Sequence, residues 1–123
     1  MIIVYLTCAN EEEAKNIGQS LLDAKLVACV RRSPVQTTNW WQGAQEQNGE
    51  ILLMMESRED KFEAIEWLVH KMHSYEQPAL TAVTVSHASK GVAEWIDSSL
   101  NPKAWRKYIC IKKDSRRSLL NTW

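Results

Sequence analysis

The stretch "TTNWWQGAQEQNGE", residues 37–50, decides how the chain folds. It lies between two runs rich in apolar and β-branched residues, "VACVRRSPV" (27–35) and "EILLMMES" (50–57). Gln42–Gly43 and Asn48–Gly49 are both turn signals, because glycine enters the positive-φ positions of a tight turn without steric cost. The segment therefore reads as the end of one strand, a hairpin tip and the start of the next. Pro34 cannot donate to a strand ladder, so it marks an edge, a bulge or a bend. Trp40 and Trp41 sit beside the tip. Neighbouring residues on a strand point to opposite faces, so one ring is expected to pack inward and the other to meet a neighbouring subunit.

Outward from the hairpin, strands and helices alternate. "MIIVYLT" (1–7) is apolar nearly throughout and reads as a strand covered on at least one face. "NEEEAKNIGQSLLDAKL" (10–26) reads as a helix: Asn10 caps it, Glu13 takes the capping-box position, and three acids favour its positive end. Ala14, Ile17, Leu21 and Ala24 form its apolar stripe, and Gly18 weakens it while permitting close packing. Ser57 is expected to cap "REDKFEAIEWLVHKMH" (58–73), with Phe62, Ile65, Val69 and Met72 on one face. Pro78 precedes a strand in "LTAVTVSH" (80–87), and Ser89 opens a short helix in "KGVAEWIDSSL" (90–100), with Val92, Trp95 and Ile96 facing in.

The order β-α-β-β-α-β predicts an α+β chain with the ferredoxin-like split βαβ arrangement: an antiparallel four-stranded sheet, helices on one face, and an extended hairpin. One domain is expected over residues 1–100. Residues 101–123 form a basic C-terminal extension that packs on or trails from it, with Tyr108–Ile111 as a candidate edge strand. The second sheet face needs a cover. In a chain this short with six tryptophans, another subunit is the natural one.

Charge is unevenly spread although the net charge is zero. Residues 1–100 hold eight Lys or Arg against fourteen Asp or Glu, and residues 101–123 hold seven against one. An acidic body repels a phosphate backbone, so no nucleic-acid partner is expected. No run reaches the roughly 18 apolar residues that a spanning helix needs, so no membrane insertion is expected. Cys8, Cys29 and Cys110 are odd in number and widely spaced, which suits a reducing compartment. The first residues carry no secretory pattern, and a cytoplasmic location is expected.

The motifs of nucleophilic, phosphate-binding and zinc-peptidase enzymes are absent from the sequence, so no catalysed reaction is expected. The chemistry-bearing cluster is "HSYEQP", residues 73–78. His73 falls at a helix end, and its imidazole suits Cu(II), Zn or Ni; Glu76 follows in the turn, where the two can converge. The competing reading is structural. In it His73 caps helix carbonyls, Glu76 accepts backbone N–H groups and Pro78 steers the chain into the next strand. His70 and His73 share a helical face at chelating distance, His87 follows the fourth strand, and Cys8 and Cys29 read as small buried hydrophobes or soft copper ligands. No set reaches structural-zinc spacing, so metal is not expected to be required for folding.

Four stretches in register resemble the CutA family of divalent-cation-tolerance proteins: "AKLVACV" (24–30), Pro34 with "WQG" (41–43), "EILLMMES" (50–57) and "HSYEQP", with Trp95 matching the tryptophan of a short third helix. The match runs from Ile3 to about Leu100. The family's H-P-Y-E-x-P signature has Ser74 for its first proline, Ala79 stands for an acid, Glu56 for a lysine, Thr84 for a proline, Ala88 for a glycine and Val92 for an aromatic. A cysteine of some members' first strand falls at Leu6; Cys8, two residues on, points the same way if the strand continues.

The resemblance implies a homotrimer, a role in divalent-cation tolerance or homeostasis, and weak binding of Cu(II) or another divalent cation, for which His73 and Glu76 are the candidate ligands. A second expectation is a regulatory module whose intersubunit cleft, near Trp41, Glu56, His73, Tyr75 and Trp95, takes a small ligand. A third is an interaction scaffold that anchors a partner through the basic extension.

Overall fold

Alternation along the first strand sorts the sheet into two faces. In β1 (Ile2–Cys8) Ile2, Val4, Leu6 and Cys8 are buried, while Ile3, Tyr5 and Thr7 between them are half-buried. The computed structural model describes residues 1–100 of the chain. Its further elements are α1 (Glu11–Asp23), β2 (Cys29–Trp41), β3 (Ala44–Ser57), a 3-10 turn (Glu59–Lys61), α2 (Phe62–Met72), β4 (Leu80–Thr84) and α3 (Val92–Leu100). The basic extension, its candidate strand at Tyr108–Ile111 and Cys110 lie outside the described residues.

The sheet order is β2-β3-β1-β4 and every pair is antiparallel. This is the expected split βαβ topology. The register carries the face assignment across the strands. Val4 pairs with Met55 and Ala82, and Leu6 with Leu53 and Leu80, which puts Val4, Leu6, Leu53, Met55 and Leu80 in the core under the helices, while Ala82 on the edge strand stays exposed. Ile17 and Leu21 of α1 and Ile65 and Val69 of α2 complete that core. A Cβ at Gly18 would sit 3.0 Å from Val30 Cγ1, so the glycine is what lets α1 lie this close to β2.

Several local expectations give way. The hairpin turns at Gln42–Gly43 (φ 50° and 82°), and Asn48–Gly49 instead continues β3, paired with Thr37 and Gln36. Only this tip joins two arms of nearly equal length, 13 and 14 residues, so that each backbone group has a partner across the ladder. Beyond Cys8 and its partner Ile51, β1 ends and the hairpin projects past the sheet. Trp40 and Trp41 are therefore both exposed, at 70% and 40%, and neither packs inward. Ser57 does not cap α2: it ends β3, and its buried hydroxyl donates to the Leu26 carbonyl. Ala24 lies past the end of α1 and is exposed, and Met72 is exposed at the end of α2. In α3 it is Ile96 that is buried, with Val92 and Trp95 half-buried.

Candidate metal centre and the adjoining cleft

In this topology the last residue of β1, the first turn of α1 and the residue after α2 meet at one end of the sheet. α1 runs back over β1 from its C-terminal end, and α2 runs toward that same end. Cys8 closes β1 with its side chain on the helix face. Asn10 caps α1 by accepting the Glu13 N–H at 2.9 Å, which fixes Glu13 in the first turn. Glu13 reaches back to accept the Ala9 N–H at 3.1 Å through Oε1, and accepts the Ser74 N–H at 3.1 Å through Oε2. One carboxylate thus ties the start of α1 to the segment leaving α2.

His73 caps α2 in extended backbone, its N–H bonded to the Val69 carbonyl. Its side chain is fully buried. Nδ1 accepts the Tyr75 N–H at 3.1 Å, so the ring proton belongs on Nε2, which donates to the Thr7 carbonyl at 2.8 Å. Glu13 Oε1 lies 3.5 Å from Nε2. The Cys8 thiol completes the cluster: one ligand atom from each of Cys8, Glu13 and His73 lies within 4.8 Å of the others.

The electrostatics of the cluster follow from its burial. Desolvation, reinforced by the Glu13 and Glu50 charges, pushes the Cys8 thiol up to about 12, so it rests protonated at neutral pH. For Glu13 burial acts upward but is outweighed by hydrogen bonds from Ser74 and Ala9 and by the His73 ring, and its carboxyl sits below the usual value.

Tyr75 follows on the other side of the His73 ring, 4.7 Å between ring centroids. Its hydroxyl donates to Glu50 Oε2 at 2.8 Å. Burial, then that bond to Glu50, pushes the Tyr75 hydroxyl well above the ordinary phenol range and keeps it a donor. Between this segment and the base of the hairpin lies a cavity of about 630 Å³, walled by Trp41, Glu46, Glu50, Tyr75 and Glu76 among others.

The structure therefore divides the residues singled out from sequence. His73 faces the cluster with Cys8 and Glu13, whereas Glu76 is exposed at the wall of the cavity and is not part of that converging group. Trp41 and Tyr75 share the cavity. Glu56 and Trp95 do not line it: Glu56 lies six residues along β3 from Glu50, about 20 Å, and pairs with Arg31, while Trp95 is half-buried on α3. Cys29 is the cross-strand partner of Glu56, and burial followed by the Glu56 charge raises its thiol. His70 and His87 are exposed, and His87 Nδ1 lies 3.1 Å from the Ser86 hydroxyl.

Sequence reasoning gave Glu13 only a capping role, and read Cys8 as a small buried hydrophobe or soft copper ligand without joining it to His73. The signal that joins them is topological. In a split βαβ unit the first turn of helix one and the exit of helix two overlie the end of strand one, so residues 8, 13 and 73 become neighbours once the order of elements is read.

A thiol, an imidazole and a carboxylate form a donor set that fits a borderline divalent ion such as Zn(II) or Cu(II). The resting hydrogen bonds oppose it. Nε2 must surrender its proton and the Thr7 carbonyl, and a proton moved to Nδ1 would face the Tyr75 N–H. The residues fit a cation, at a cost.

Residues 2–99 match the family model described as CutA1 divalent ion tolerance protein. The divalent-cation tolerance protein CutA of Archaeoglobus fulgidus is 34% identical over 97 residues, 79% of this chain and 95% of that protein. That of Thermotoga maritima is 32% identical over 100 residues, 81% of this chain and 99% of that protein. Among solved structures, the Archaeoglobus fulgidus protein, there called a periplasmic divalent cation tolerance protein, superposes with a TM-score of 0.79 at 33% identity, covering 82% of this chain and 100% of that one. CutA1 from Oryza sativa gives 0.77 at 31% identity over 80% and 91%. Sequence motifs, sheet order and these likenesses agree, and the chain belongs to the CutA1 divalent ion tolerance family.

Proposed function

We propose that the protein serves divalent-cation tolerance by binding a borderline divalent ion, with Cu(II) and Zn(II) the best matched, through Cys8, Glu13 and His73. The observation that carries this reading is the convergence of these three donors within 4.8 Å at a buried end of the sheet. The ion favours the thiolate, so binding releases the Cys8 proton and strengthens as pH rises. Two hydrogen bonds of the His73 ring are given up in exchange, at about 1 kcal/mol each, and the affinity is correspondingly modest. Glu76, three residues beyond His73, serves the cavity instead.

The test is calorimetric titration of Cu(II) and of Zn(II) into metal-free protein, beside Cys8→Ser and Cys29→Ser. The expected result is one ion per chain at about micromolar affinity, lost in Cys8→Ser and retained in Cys29→Ser, with proton uptake by the buffer. Equal binding by all three proteins would remove the site.

We propose further that the chain works as a homotrimer in the cytoplasm. Support for assembly comes from the sheet face opposite the helices, where Ile3, Tyr5, Leu52 and Met54 are only half-buried and Val83 is 48% exposed. The projecting hairpin with its two exposed tryptophans adds to it. Threefold assembly is what the family resemblance implies. Light scattering is expected to give a mass of three chains; a monomer mass would overturn this. The cytoplasmic placement is supported by the two thiols of the described residues, Cys8 and Cys29, which form no disulfide among those residues.

A further inference from the structure

We infer that the divalent ion enters the buried centre from the helix side, through a groove between the first turn of α1 and the last turn of α2, where Met72 bounds the passage and Glu13 takes the ion across. The inference rests on the metal centre proposed above. Of its three donors, Cys8 is fully buried and so is the His73 side chain, whereas Glu13 keeps 12% of its side-chain surface. Glu13 is therefore the donor that an ion in solvent touches first. The space it opens onto is a groove of about 280 Å³ walled by Asn10, Glu12, Glu13, Asn16, Ile17 and Met72. Neither Cys8 nor His73 lines that groove, so Glu13 stands between it and the centre.

The other side of the centre is closed. The His73 ring is held to the Thr7 carbonyl by its Nε2 bond, and the Tyr75 ring packs on it at 4.7 Å. Thr7 and Tyr75 wall the larger cavity, but none of the three donors does. That cavity also lies toward the sheet face proposed to be covered by assembly, whereas the groove lies on the helix side. The groove suits a hydrated cation: Glu12 and Asn16 offer it oxygen, and no Lys or Arg lines it. The negative end of α2 is at its wall, and the three acids of the first turn offset the positive end of α1. Glu13 need not leave its place. Each of its oxygens accepts one N–H, from Ala9 and from Ser74, and keeps a lone pair for the ion. Met72 is 36% exposed, and its flexible thioether chain sets the width of the passage.

A residue that only bounds a passage changes the rates of entry and exit by one factor and leaves the affinity alone, whereas loss of a ligand changes the affinity. Stopped-flow absorption follows Co(II) entering the full chain, and a chelator chase follows it leaving. Met72→Trp puts a larger side chain at an exposed position and is expected to slow both rates about tenfold with Kd unchanged. Met72→Ala is expected to speed both. Gln77→Trp places the same ring at the exposed wall of the larger cavity and is expected to leave both rates as in wild type. Unchanged rates in both Met72 variants, with the thiolate-to-cobalt band intact, would overturn the passage and leave the metal centre standing. So would a weaker Kd in Met72→Trp without slower entry, or slower exchange in Gln77→Trp alone. Absence of that band in the wild type would overturn the centre and the passage with it.

Discussion

His73→Ala is expected to lower the unfolding free energy of metal-free protein by about 2–4 kcal/mol. For a described region of about 100 residues that is a fall of roughly 10–20 °C in midpoint, measured at fixed protein concentration because assembly would add to it. The ring is fully buried and spans three elements: Thr7 at the end of β1, Glu13 in α1 and Tyr75 beyond α2. Its loss leaves a buried carbonyl and an N–H without their partner and opens a space beside Cys8. A histidine that served only as a metal ligand in an open pocket would leave the metal-free protein almost unchanged, so a drop below about 0.5 kcal/mol would contradict this account.

The same cluster sets a pH dependence. Glu13 has a folded pKa below its unfolded value of about 4.5. A depressed carboxyl contributes stability that is fully present above the unfolded pKa and is lost as pH falls through the folded one. Wild-type stability is therefore expected to decline below about pH 4.5, and less steeply in His73→Ala, where one of the interactions that lowers Glu13 is gone.

Leu53→Ala is the second large effect, about 2–5 kcal/mol in unfolding free energy. Leu53 is fully buried in β3, a central strand, and pairs with Leu6 on the helix-facing side. Neighbouring strands on both sides of β3 hold the backbone, so the space left by the side chain cannot collapse fully. Metal binding is expected to persist in this variant wherever it remains folded, because Leu53 pairs with Leu6 and Arg32 and with none of Cys8, Glu13 and His73. Denaturant unfolding, with the midpoint shifted and its slope unchanged, is the measurement.

The order of elements, the capped first helix and the inward stripe of Ile17, Leu21, Ile65 and Val69 were legible in the sequence because each rests on local rules of period and capping. What failed was decided by partners far along the chain. Asn48–Gly49 is as good a turn signal as Gln42–Gly43, and only the matching of arm lengths against Pro34 and Ile51 chooses between them. Ser57 looks like a helix cap in isolation, yet it continues the inward alternation of Leu53 and Met55 and finds its acceptor 31 residues away at Leu26. Trp40 and Trp41 obey the alternation of a strand, but the hairpin has outrun the sheet that would cover one of them.

The site was legible in part. His73 stood out by composition, and its structural role as a helix-end clamp and its candidate role as a ligand coexist at one ring. Glu13 lies 60 residues earlier and becomes its neighbour only through the crossing of α1 and α2 over the end of β1. Glu76 follows His73 closely in sequence and yet faces another space, because the chain bends over residues 74–77 and carries it to the cavity wall.

The absorption spectrum of the protein titrated with Co(II), wild type beside Cys8→Ser, tests the central claim most directly. If Cys8, Glu13 and His73 hold a divalent ion, a thiolate-to-cobalt charge-transfer band grows to one ion per chain, strengthens with rising pH and is absent in Cys8→Ser. Cobalt that binds with no such band, or with the same band in both proteins, would contradict the assignment of the metal centre to this cluster.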